Sequence, residues 1–145
     1  RARDGAKAER ALDIFSTAFT LRNGFHCNGD QTGKGYSNYT YRPFTLEGNF
    51  AAAAGVQEML IQSQRGKIMI FPAAPPSWGD IRFSTLRAAG AFLVSAEKKG
   101  GKVRRVEITA EKGGNCVLVS PFSGKDITLS MKPGEKVVLT KDPRS

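Results

Sequence analysis

The sequence predicts an α+β chain: two helices followed by an antiparallel β-sheet or small sandwich. Three observations carry this. Residues 4–21 repeat apolar side chains at helical spacing, and residues 49–65 are apolar on nearly every side. After Gly66 the period shortens to that of strands, with Gly-Gly and Pro-Gly pairs between the runs.

Asp4 is the expected N-cap of the first helix, with Ala8, Ala11, Leu12, Phe15, Ala18 and Phe19 on one face and Lys7, Glu9, Arg10 and Asp13 on the other. Asn23-Gly24 is expected to end it, since both residues tolerate a left-handed C-cap. Residues 25–46 have no hydrophobic period and read as a long loop, a kind of connection more often functional than idle. The second helix is expected from Asn49, its N-cap, to Gln64 or Arg65. Phe50, Ala53, Ala54, Met59, Leu60 and Ile61 make it a helix to be buried against several neighbours. One partner helix cannot supply that cover, so further chain is expected.

Strands are expected at 67–71, 86–97, 103–110, 115–120, 126–131 and 136–140. In the third of these, Val106, Ile108 and Ala110 alternate with Arg105, Glu107 and Thr109, the mark of a half-buried strand. Gly100-Gly101, Gly113-Gly114 and Pro133-Gly134 are expected to make hairpin turns. Trp78, in the proline-rich bridge PAAPPSWGD, is expected to pack the helices onto the strands.

At 145 residues and 40% apolar composition the chain can build a core. It opens without an initiator methionine and almost directly in a helix, so a piece of a longer protein is expected. The net charge of +9 is scattered; its one dense cluster, Lys98, Lys99, Lys102, Arg104 and Arg105, straddles a Gly-Gly turn. It reads as solvated hairpin charge, and no nucleic-acid partner is expected. No run is long enough to span a membrane, so no membrane partner is expected either. Cys27 and Cys116 make neither a disulfide framework nor a CxxC pair, and no metal site or cofactor is expected.

Polar residues concentrate between Phe25 and Asn49: His26, the chain's one histidine, with Asn28, Asp30, Gln31, Asn38, Tyr41, Glu47 and Asn49. Phe25, Tyr36, Tyr39, Tyr41 and Phe44 are interleaved with them. Rings that stack on sugar faces beside amides and carboxylates suit a carbohydrate pocket, and the same mixture suits a protein interface. Glu47 stands at the mouth of the second helix, where the backbone dipole favours an acid whatever its role. Asp30 is either a turn organiser or the second acid of a glycosidase pair.

The segments NGFHCNGDQ (23–31), YRPFTLEGNF (41–50), GVQEMLIQS (55–63), IFPAAPPSWGD (70–80) and LRAAGAFLVSAEKKGGKV (86–103) resemble the C-terminal part of glycoside hydrolase family 95. The resemblance implies an enzyme that removes terminal α-L-fucose or α-L-galactose with inversion. It also implies a fucosylated or galactosylated glycan as partner and a periplasmic or extracellular location. Residues 1–66 would be the last helices of an (α/α)6 barrel carrying an active-site loop at 23–46, and residues 67–145 a C-terminal β domain. The family's general acid and water-activating asparagines would lie in an N-terminal part outside this chain, leaving the piece alone inactive.

In the family an Asp-Gly-Asn-Phe carboxylate polarises those asparagines; its position falls on Glu47, and a family histidine six residues earlier falls on Tyr41. Glu47 is therefore the expected catalytic residue, with His26, Asn28, Tyr41 and Asn49 lining the sugar subsite. Both matches are departures. The extra methylene of Glu moves the carboxylate by roughly 1 Å, a misplacement that can cost about a hundredfold in rate. Tyr donates a hydrogen bond but cannot act as an imidazole. The alternative is a non-catalytic carbohydrate-binding or interaction protein on a degenerate glycosidase fold. The uncovered apolar helix predicts self-association of the piece.

Overall fold

A computed structural model describes residues 3–141. Helix α1 runs Gly5–Ala18, and its N-cap is Asp4, whose carboxylate accepts from the Lys7 N–H at 3.0 Å. It stops short of Leu21. The Phe19 N–H closes on Phe15 O, and Thr20 pairs antiparallel with His26. Asn23-Gly24 therefore turns the chain back on itself, with Leu21 N–H donating to Phe25 O at 2.8 Å, instead of capping the helix.

Helix α2 runs Leu46–Leu60 with Thr45 as its N-cap residue. It starts before Asn49, which lies inside the first turn and caps nothing. It also ends before Gln64, because Ile61–Gln62 leaves the helix as strand β1 and pairs with β2, Lys67–Ile70. Gly66, at φ 73°, turns the chain between these two strands and is not a helix stop. Among the described residues no helix is long and apolar enough to cross a membrane.

The remaining strands are β3 (Ile81–Ala88), β4 (Phe92–Lys99), β5 (Lys102–Ala110), β6 (Gly114–Val119), β7 (Asp126–Met131) and β8 (Lys136–Thr140). They form two four-stranded sheets, ordered β1-β2-β6-β7 and β3-β4-β5-β8. All pairs are antiparallel except β2 with β6, which is parallel. The run expected at 86–97 is two strands, split by a turn in which Gly90 and Ala91 both take positive φ.

Gly100-Gly101 closes the β4–β5 hairpin as expected. Gly113-Gly114 and Pro133-Gly134 make no hairpin: each carries the chain from one sheet to the other. Gly113 can have no side chain there, since a Cβ would stand 2.8 Å from Met131 O.

Both sheets feed one core. Phe83, Val94, Val106 and Ile108 from one, with Ile68, Cys116, Leu118 and Met131 from the other, are buried in a single cluster. Val106, Ile108 and Ala110 face inward at no measurable exposure, so the alternation along β5 is real. The bridge between β2 and β3 ties the helices to this body. Gly5 sits against the backbone of Ala73 and Ala74, and Ser77 Oγ donates to Glu9 at 2.6 Å. Trp78 shares a groove with Leu12, Phe15, Ala52 and Val56, while Asp80 accepts from Gly100 N–H at 2.7 Å. Helix α2 buries only Met59 among its residues and leaves Leu46, Phe50 and Val56 exposed.

Candidate functional site

The loop between the helices closes on the first turn of α2 through hydrogen bonds that sequence separation hides. Asn49 reaches back across it: its Oδ1 accepts from His26 N–H and its Nδ2 donates to Gly24 O, each at 2.8 Å. Thr45 Oγ1 lies 2.5 Å from His26 Nδ1 and donates to Asn28 Oδ1 at 3.3 Å. A hydroxyl has one proton to give. That proton serves one of the two partners at a time, so the tautomer of His26 decides whether Nδ1 donates to the hydroxyl or accepts from it.

The imidazole is held on its faces as well. It lies parallel to Phe15 at 5.3 Å between centroids and against Phe19 at 6.5 Å. Gly48 lies against the ring too, where a Cβ would come within 2.4 Å of its atoms. The glycine of LEGN is thus required by the histidine, despite its cost in a helix.

Three of the expected site residues, His26, Asn28 and Asn49, meet in this network. Glu47 stands beside it in the first turn of α2, exposed, with no hydrogen bond or ion pair to another described residue. Tyr41 lies outside the network: its ring packs edge-on to Tyr39 at 5.4 Å and is 53% exposed. Its carbonyl lies against Gly29, where a Cβ would clash at 2.1 Å. Phe25 and Phe44 stack at 4.6 Å, both exposed.

Asp30 is 3% exposed, and its oxygens are taken up by the loop: it accepts from the Thr32 hydroxyl at 2.6 Å, the Thr32 N–H at 2.8 Å and the Tyr36 N–H at 3.1 Å. The Thr32 hydroxyl bond, with these N–H groups, outweighs desolvation and holds its carboxyl below the usual carboxylate range. It organises the turn. Among the described residues no group of three or more His, Cys, Asp or Glu is placed to hold a metal ion.

The model of the glycoside hydrolase family 95 C-terminal domain matches residues 62–142 of this chain. The chain is a C-terminal part of a glycoside hydrolase family 95 protein. Alpha-L-fucosidase 2 of Arabidopsis thaliana is 30% identical to it over 112 residues. That alignment takes in 75% of this chain and 13% of the relative, so the chain spans a small part of the curated protein it matches.

Within the family 95 chain, the domain match falls on the strands and the polar network lies N-terminal to it. Thr45 is the network's central residue and was not among the expected site residues. A threonine immediately before a helical run is a capping signal, but here the hydroxyl makes no cap and serves His26 and Asn28 instead.

Proposed function

We propose that the protein containing this chain is an inverting exo-glycosidase that hydrolyses terminal α-L-fucosides or α-L-galactosides. Residues 1–66 would form the last helices of its (α/α)6 barrel and residues 67–145 a C-terminal β domain, acting on glycans in the periplasm or outside the cell. The observation that carries this reading is the network that joins His26 to Asn49 and, through Thr45, to Asn28, beside Glu47, which no other described residue pairs, at the mouth of α2. Family membership and the name of the Arabidopsis relative favour fucose.

Inversion needs an acid for the leaving oxygen and a base for water on the opposite face of the sugar. In this reading the acid and the water-activating asparagines lie outside the chain. The carboxylate of Glu47 accepts from the asparagine amide N–H groups and so turns their carbonyl oxygens toward the water. His26 bonds a sugar hydroxyl at Nε2, and Asn28, oriented by Thr45, donates from its amide. Tyr41 borders the subsite with its ring. The piece alone turns over no substrate.

The test is release of monosaccharide from α-L-fucosides and α-L-galactosides by the full-length protein and by Glu47→Gln. A fall in kcat of roughly a hundredfold with an intact fold is expected; unchanged turnover removes Glu47 from the mechanism. The extra methylene at Glu47 and the phenol at Tyr41 favour a second reading, a carbohydrate-binding protein without catalysis. Full-length protein that binds fucosides and releases no sugar would establish it.

A further inference from the structure

The outward face of the β3-β4-β5-β8 sheet carries a trough that the hydrolase reading leaves unused. Two adjoining hollows of about 350 and 290 Å³ share Arg82 and Glu97. The first continues over Ser84 and Ser95 to Arg105 and Glu107; the second continues over Lys98 and Lys99 to Asp80.

Three features set it apart from an ordinary solvated sheet face. The first is strain. Thr85, β-branched, sits at φ 53° in a bulge of β3, held there by Ser95 Oγ, which accepts its N–H at 3.0 Å. Such a residue in the left-handed region is a true outlier, and bulges of this kind re-aim neighbouring side chains.

The second is unpaired charge. Arg82 and Glu97 are direct cross-strand partners, yet they form no ion pair, and the trough opens between them. Glu107 contrasts with them: it accepts from Arg105 and Lys136, each at 2.7 Å.

The third is like charge held together. Lys99 and Lys102 face each other across the hairpin, and a second bulge, after Glu97, leaves Arg104 without a partner in β4. Like charges directly opposite each other destabilise a sheet, and no described acid pairs with Lys98, Lys99 or Lys102. A bound anion would relieve that repulsion.

We propose that this trough binds a carboxylate-bearing polysaccharide. Its acid groups meet Arg82, Lys98 and Lys99, and its hydroxyls meet Ser84, Ser95 and Glu97. The anionic character follows from these residues alone, whereas the choice of polysaccharide rests on the glycosidase reading. A nucleic acid fits less well. No aromatic ring lies on the open face to stack a base, Phe83 being turned into the core. Sugar hydroxyls also offer the carboxylate of Glu97 hydrogen-bond donors along the trough, which a DNA phosphodiester chain does not.

The test is titration of the full-length protein with polygalacturonate oligomers at low salt, where exposed charges are least screened. Arg82→Gln alone and combined with Lys98→Gln and Lys99→Gln are compared with Lys125→Gln, on the remote β6–β7 turn. The triple variant is expected to weaken binding roughly tenfold and Lys125→Gln by less than about twofold, with methyl-esterified oligomers weakened like the triple variant. Arg82→Gln removes a side chain that no described acid pairs, so it should keep the fold while showing part of the loss. Absence of binding, equal loss from Lys125→Gln, or single-stranded DNA displacing the uronate at equal charge would each overturn the proposal. Fucoside turnover, measured in parallel, should respond to Glu47 and not to Arg82, so the two readings fail separately.

Discussion

The imidazole of His26 occupies the space that a side chain at Gly48 would need, with ring atoms 2.4 Å from the Cβ position. Two effects oppose each other in Gly48→Ala. Alanine in a helix is favoured over glycine by about 1 kcal/mol. The ring cannot step aside without losing its stacking on Phe15 and its bond to Thr45. The clash should win, with a net destabilisation of about 1–3 kcal/mol measured by urea unfolding. A stabilised variant would mean that the ring moves freely.

Thr45→Val keeps the shape of the side chain and removes the hydroxyl between His26 and Asn28. The expected cost is about 1–2 kcal/mol, since both partners lose a bond while remaining partly open to water. In the full-length protein the variant should raise KM for a fucoside more than it lowers kcat, because the proposed function gives these residues the sugar to hold and not the reacting water. Serine at the same position should restore binding; failure of Thr45→Ser to do so would leave the hydroxyl without a role.

The parts that could be read from the residues are those in which periodicity alone decides. Val106, Ile108 and Ala110 alternating with Arg105, Glu107 and Thr109 admit one strand and one inward face. Met59, Leu60 and Ile61 do not, because a buried helix end and a buried strand start are both simply apolar; β1 was hidden there for that reason. Glycine pairs announce a turn but not which sheet receives the chain, so the crossings at Gly113 and Gly134 read as hairpins. At the site, His26, Asn28 and Asn49 stood out by residue type. Thr45 did not, because its partners are 17 and 19 residues away and only the folded loop brings them within reach.

Asp30 makes the loop sensitive to acid. Its folded pKa lies below the ordinary value because the Thr32 hydroxyl, the Thr32 N–H and the Tyr36 N–H all favour the carboxylate. A lowered folded pKa means that the unfolded chain takes up the proton first. The stabilisation is therefore complete above the unfolded carboxylate range and is lost as pH falls through the lower folded pKa. Asp30→Asn should lower the melting temperature at neutral pH, and the gap to the parent chain should close as the buffer is acidified below about pH 4. A gap that stays constant across that range would remove Asp30 as its source.

Helix α2 makes the last prediction. Phe50 is 65% exposed and Leu46 44%, and Ala51, Ala53, Ala54 and Val56 are exposed beside them, so the helix offers water an apolar surface on several sides. Contiguous apolar surface of this kind is seldom left uncovered on a soluble chain, and burying one Phe is worth about 1.5–3 kcal/mol. The 145-residue chain should therefore self-associate with rising concentration in sedimentation velocity. Phe50→Asp should shift it toward monomer without lowering the melting temperature, since Phe50 is absent from the core cluster. Parent chain that stays monomeric at high concentration would count against α2 as a surface built to be covered, and with it against the barrel into which the proposed hydrolase places this helix.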